Sequence, residues 1–138
     1  MSLNNEGAQN LKQSDKETCE DRITEAIISR GEDFKRFMNA EDEETTEEFY
    51  NYGLCIDMVT PGTFKNTEPY LRYQISYGGP SEELRFYQNG TVEFWFLDWW
   101  DGAHKNISGL SWVQWLKEHL QDCEILTNEA FFKAWEDQ

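Results

Sequence analysis

The sequence predicts an α+β domain, a four-stranded antiparallel β-meander with N-terminal and C-terminal helices packed on one face. Three observations predict it. Apolar residues recur at helical spacing before residue 50 and after residue 110. Between residues 54 and 99 they alternate instead. Turn-forming pairs separate the alternating runs at short intervals. The chain has 138 residues, enough for one domain and one core. We expect residues 1–17 to form a flexible polar arm and residues 18–138 the folded domain.

Each element has its own signal. Thr18 and Asp21 make a capping-box pattern. Ile23, Ala26, Ile27, Phe34, Phe37 and Met38 then share one helical face, interrupted at Gly31, where a break or kink is expected. Thr45 and Glu48 suggest a second capping box, opening a short helix that stops at Gly53. Strands are expected at 54–59, 70–77, 83–88 and 91–99. Asn89-Gly90 predicts a two-residue type I′ turn between the last two. In the fourth strand Val92, Phe94 and Phe96 line one face and Trp95, Leu97 and Trp99 the other, so this strand should be central or covered on both sides. Asp101-Gly102 is expected to end the sheet. Ser111 and Gln114 form a third capping-box pattern, followed by Trp112, Leu116, Leu120 and Cys123 on one face. A last helix from about Asn128 carries Phe131, Phe132 and Trp135.

Charge narrows the function. Lys plus Arg is 12 and Asp plus Glu 27, a net charge of -15. That balance repels phosphate, which argues against direct binding to nucleic acid or an anionic membrane and favours a basic protein surface. Catalytic motifs are missing: there is no nucleophile elbow, phosphate loop or paired-histidine zinc motif. Nothing in the sequence calls for a cofactor. Cys19, Cys55 and Cys123 are widely spaced, with no Cys-x-x-Cys pair, and no signal-peptide pattern opens the chain, which fits a reducing cytoplasm.

The leading expectation is a non-enzymatic cytoplasmic interaction or regulatory module that binds a basic partner. Its candidate partner-binding residues are Glu41, Asp42, Glu43 and Glu44, from a run with six acids in eight positions, and Trp99 and Trp100. Tryptophans dominate binding hot spots when exposed. The packing alternative places Trp95 and Trp99 in the core, beneath the helix bearing Trp112 or Trp135. A second expectation is a nucleic-acid mimic that inhibits a DNA-binding protein. Fifteen charges would imitate about 25 Å of duplex at one charge per about 1.7 Å. However, residues 1–50 hold 14 acids and 6 bases and the remainder 13 and 6, so no single block carries the charge. A third is a small-ligand or metal-binding domain or enzyme with a tryptophan-lined pocket, in which Asp98, Asp101 and His104 supply carboxylate and imidazole ligands.

Overall fold

The structure, a computed structural model, describes residues 17–137. The expected arm falls almost wholly outside the described residues. The elements run α1 (Cys19–Met38), α2 (Glu43–Tyr50), β1 (Cys55–Val59), β2 (Tyr70–Ser76), β3 (Ser81–Tyr87), β4 (Val92–Asp98), β5 (Asp101–Asn106), α3 (Ser111–Asp122) and α4 (Asn128–Glu136). The class is α+β, with one antiparallel sheet in the order β1-β2-β3-β4-β5. No helix among the described residues is long and apolar enough to cross a membrane.

The sheet has five strands, not four. Asp101-Gly102 does not end it. Asp98 pairs with Asp101 and the ladder runs on to Glu93 opposite Asn106. The fifth strand has no alternation to betray it: Ala103 is its one buried residue, and the others are exposed along an edge. Edge strands need no apolar face of their own and are often charged. β4 is therefore interior, flanked by β3 and β5.

The β3–β4 connection also differs from expectation. Phe86 pairs with Val92, Gly90 N–H donates to the Tyr87 carbonyl, and Tyr87 N–H donates to the Thr91 carbonyl. The loop is thus the three residues Gln88, Asn89 and Gly90, with positive φ at Gly90 alone (+96°). That is the turn-plus-bulge hairpin, in which one residue rather than two adopts the left-handed region.

α1 is continuous through Gly31. A Cβ there would lie 2.9 Å from Trp112 Nε1, so the missing side chain admits the indole of α3 rather than breaking the helix. The Thr18–Asp21 capping box is present. The other two capping boxes are not. α2 is capped by Asp42, whose carboxylate accepts from Thr45 N–H, three residues before the expected cap. α3 starts after Leu110 with no side-chain cap, and Gln114 instead donates to the Ser108 carbonyl.

The core lies between the sheet and the helices. Ile23, Phe34, Leu84, Val92, Phe94, Val113 and Leu116 are fully buried in one cluster that also takes Phe49 of α2 and Phe131 of α4. Phe34 stacks on Trp112 at 4.9 Å and meets Tyr73 edge-on at 6.0 Å. Ion pairs at its rim clamp α1 to the sheet: Arg22 to Asp98 at 2.7 Å, and Arg30 bidentate to Glu82 at 2.9 Å.

Candidate functional site

The β4–β5 turn is the most unusual local structure. Its two residues, Trp99 and Trp100, join the Asp98–Asp101 pair and are 90% and 99% exposed. Trp99 has φ +58°, and Trp100 is not in the left-handed region. Positive φ at the first turn position alone is the pattern of a type II′ turn, which ordinarily takes glycine there. A bulky residue in that conformation is strained. The turn therefore holds its two large apolar side chains in water at a conformational cost.

The base of the turn is fixed. Asp98 pairs with Arg22. Asp101 Oδ2 accepts from Cys19 N–H, in the first turn of α1, at 2.7 Å. Asp101 Oδ1 accepts from Gly102 N–H. These backbone donors hold the Asp101 carboxyl below its ordinary value, the bond from Cys19 first. Burial, then the nearby Asp101, pushes the Cys19 thiol up. A cavity of about 610 Å³ opens beside the turn, lined by Glu17, Thr18, Cys19, Arg22 and residues 98–101.

The expected ligand trio does not converge. Asp98 is spent on Arg22 and Asp101 on Cys19, while His104 points to the opposite sheet face and stacks on Trp95 at 4.3 Å. Among the described residues, no three His, Cys, Asp or Glu side chains come together in a metal-binding group. The tryptophans also depart from the core expectation. Trp112 is buried under α1, but Trp99 is in the turn, and Trp95 sits on the helix-free face between Arg85 and His104.

The acidic run divides by role. Asp42 caps α2, and its bonds from Thr45 hold its carboxyl below the ordinary value. Glu48 takes both terminal nitrogens of Arg36, at 2.7 and 2.9 Å. Glu41, Glu43 and Glu44 are exposed and form no ion pair among the described residues. The run follows the C-terminus of α1, whereas the tryptophan turn packs at its N-terminus. The 20 residues of α1 separate them by about 30 Å at 1.5 Å per residue. The structure thus brings Trp99 and Trp100 together and keeps both apart from Glu41–Glu44.

Sequence reasoning missed two arrangements. On the free sheet face, Arg85 lies between the rings of Trp95 (3.7 Å) and Tyr70 (4.5 Å) and is ion-paired with Glu83 at 2.6 Å. The signal was present, since alternation already put Glu83, Arg85, Glu93 and Trp95 on one side of the sheet. In α3, His119 Nε2 lies 3.6 Å from Cys123 Sγ. Four-residue spacing gives that contact. It sets a thiol beside an imidazole at the C-cap of α3.

In comparisons with known protein families, characterised proteins and solved structures, nothing matched this chain.

Proposed function

We propose that the protein is a non-enzymatic interaction module of the cytoplasm that binds a basic protein partner through the Trp99–Trp100 turn. The observation that carries the proposal is the exposure of two adjacent tryptophans on a strained turn whose base is tied to α1. Fixing the backbone that carries two large aromatics before binding removes part of the ordering cost of binding, which suits a hot spot. Charge gives the sign of the partner. Each of the five arginines is already ion-paired within the chain, so the surplus of carboxylates faces solvent. Three free cysteines, one buried and none bonded to another, fit a reducing compartment.

The acidic run would act as a second contact. About 30 Å exceeds the Debye length of about 8 Å at physiological salt several times over, so its field does not reach the turn. A standard footprint of about 800 Å² per partner is some 30 Å across, enough to touch both.

The test is capture of partners on the immobilised full chain across a salt series. Wild type is compared with a Trp99→Gly/Trp100→Ser variant and a Glu41→Gln/Glu43→Gln/Glu44→Gln variant. The expected result is a basic protein retained at low salt, lost with the tryptophans, and bound more slowly when the three acids are neutralised. Equal retention by the tryptophan variant, or a retained partner with no basic surface, would refute the reading.

A further inference from the structure

The helix-free face of the sheet carries a cavity of about 480 Å³, lined among others by Phe64, Lys65, Glu68, Arg85, Glu93 and Trp95. It lies toward the start of β4. Six residues of strand at about 3.3 Å each put Glu93 about 20 Å from the tryptophan turn. The volume is within the range of small-molecule sites, about 300–1,000 Å³.

The cavity is rigidly built. His104, Trp95, Arg85 and Tyr70 form one continuous stack, with spacings of 4.3, 3.7 and 4.5 Å. Glu93 Oε1 accepts from both Trp95 Nε1 and Tyr87 O–H, at 2.9 and 3.0 Å. The facing wall is the 60–69 loop, pinned by Asn66. Its Nδ2 donates to the Thr60 and Glu68 carbonyls, and its Oδ1 accepts from Phe64 N–H. Beside the stack, the fully buried hydroxyl of Tyr70 has no hydrogen-bond partner among the described residues.

Donors and acceptors are left over. Arg85 is 8% exposed. It has five N–H groups, of which Nε serves Glu83. Glu93 lies directly opposite Arg85 across the β3–β4 ladder, yet the two form no ion pair, and Glu93 Oε2 accepts no bond among the described residues. A donor set and an acceptor therefore sit side by side at the cavity floor.

The charges select the ligand class. The residues lining the cavity carry two charges of each sign, Lys65 and Arg85 against Glu68 and Glu93, with Glu83 paired to Arg85 outside the lining. A cationic ligand meets two like charges, and an anion meets two others within a chain of net charge -15. An apolar ligand would strip water from these polar groups without replacing it. Both faces of Trp95 are taken, by Arg85 and His104, so a flat aromatic ligand finds no stacking partner at the cavity floor. Phe64, 55% exposed at the rim, offers one apolar ring for the C–H side of an amphipathic molecule. We propose that this cavity binds a small uncharged polyhydroxylated ligand, a neutral sugar, whose hydroxyls donate to Glu93 Oε2 and accept from Arg85.

The test is a heteronuclear NMR titration of the full ¹⁵N-labelled chain with glucose, galactose, mannose and N-acetylglucosamine in turn, and with adenosine and glycine as competitors of other chemistry. Each runs to about 10 mM, tenfold above a Kd of about 1 mM. The expected result is a saturable shift of the Trp95 indole N–H and the 64–68 amides with at least one sugar, while the Trp99 and Trp100 indoles stay still. Phe64→Ala, at an exposed position that leaves the fold intact, should weaken that binding about fivefold or more, in keeping with loss of a packed aromatic face. No saturable shift with any sugar, unchanged affinity in Phe64→Ala, or saturation by adenosine or glycine alone would overturn the proposal. Partner capture by the tryptophan turn is read separately, so either idea can fail without the other.

Discussion

Trp99 holds a conformation that glycine would hold without strain. A left-handed L-residue costs about 1–2 kcal/mol, and glycine recovers that cost less the larger entropy it loses on folding. Trp99→Gly should therefore raise stability, by up to about 1 kcal/mol, while abolishing partner capture. Denaturant midpoints with unchanged m-values would check the first half. A lower midpoint would show that Trp99 stabilises the turn by packing. Gly31 gives the opposite sign to the usual rule. In an ordinary helix interior Gly→Ala gains about 1 kcal/mol. Here the new methyl would sit 2.9 Å from Trp112 Nε1, and that indole cannot retreat because it is buried and stacked on Phe34. Gly31→Ala should thus lose about 1–3 kcal/mol, the range for overpacking. A gain on chemical denaturation would mean that the two helices can part.

At the scale of elements, the sequence was most legible where periodicity is enforced by burial. The alternation of Leu71, Tyr73 and Ile75, of Leu84 and Phe86, and of Val92, Phe94 and Phe96 matches the buried face strand by strand. It was silent on β5, because an edge strand with one buried residue carries no period. Caps were legible only in part. Ser/Thr-x-x-Glu/Gln patterns are common in acidic stretches, and at α2 an aspartate three residues earlier competed successfully for the role. The site was legible as composition, not as place. Trp99 and Trp100 were singled out, but alternation put Trp99 on a strand, since nothing in local propensity favours two tryptophans in a tight turn. The β3–β4 loop supplies the element-level prediction. Gly90 alone needs positive φ, so Gly90→Val should cost about 1–2 kcal/mol, as for a left-handed L-residue. Asn89→Ala, with no such need, should cost less. Thermal melts of the pair would check the ranking.

On the scale of the whole molecule, burial shows in the tyrosines. Burial raises the phenol of Tyr52 to about 12, with its bond to Asp33 adding to the shift. Burial also pushes up Tyr70 and Tyr73, and Tyr87 is raised by burial and then by Glu93. A phenol whose folded pKa is raised adds stability that is fully present below the ordinary value of about 10 and is lost as pH rises through the folded value. The fold should therefore fail in alkali, between about pH 10 and the raised values. Tyrosinate absorbance from these four of the six tyrosines should appear together with the loss of circular dichroism. Ionisation of all six before any loss of structure would contradict it.

The bond between Asp101 and the N-terminus of α1 has a consequence in time. The meander joins each strand to its neighbour in sequence, so the sheet can zip up from local hairpins, which is the fast route. Cys19 and Asp101, by contrast, are 82 positions apart, and their contact closes the longest loop in the clamp. Such closure belongs after the barrier. If α1 docks late, Asp101→Ala should leave the refolding rate nearly unchanged and speed unfolding, by about tenfold for a loss of about 1.4 kcal/mol. Stopped-flow chevrons of the two chains would show the unfolding limb raised and the folding limb superimposed. A slowed folding limb would place the helix in the nucleus. With late docking, α1 is the latch of the molecule: partner or no partner, the tryptophan turn keeps its aim only as long as that latch stays shut.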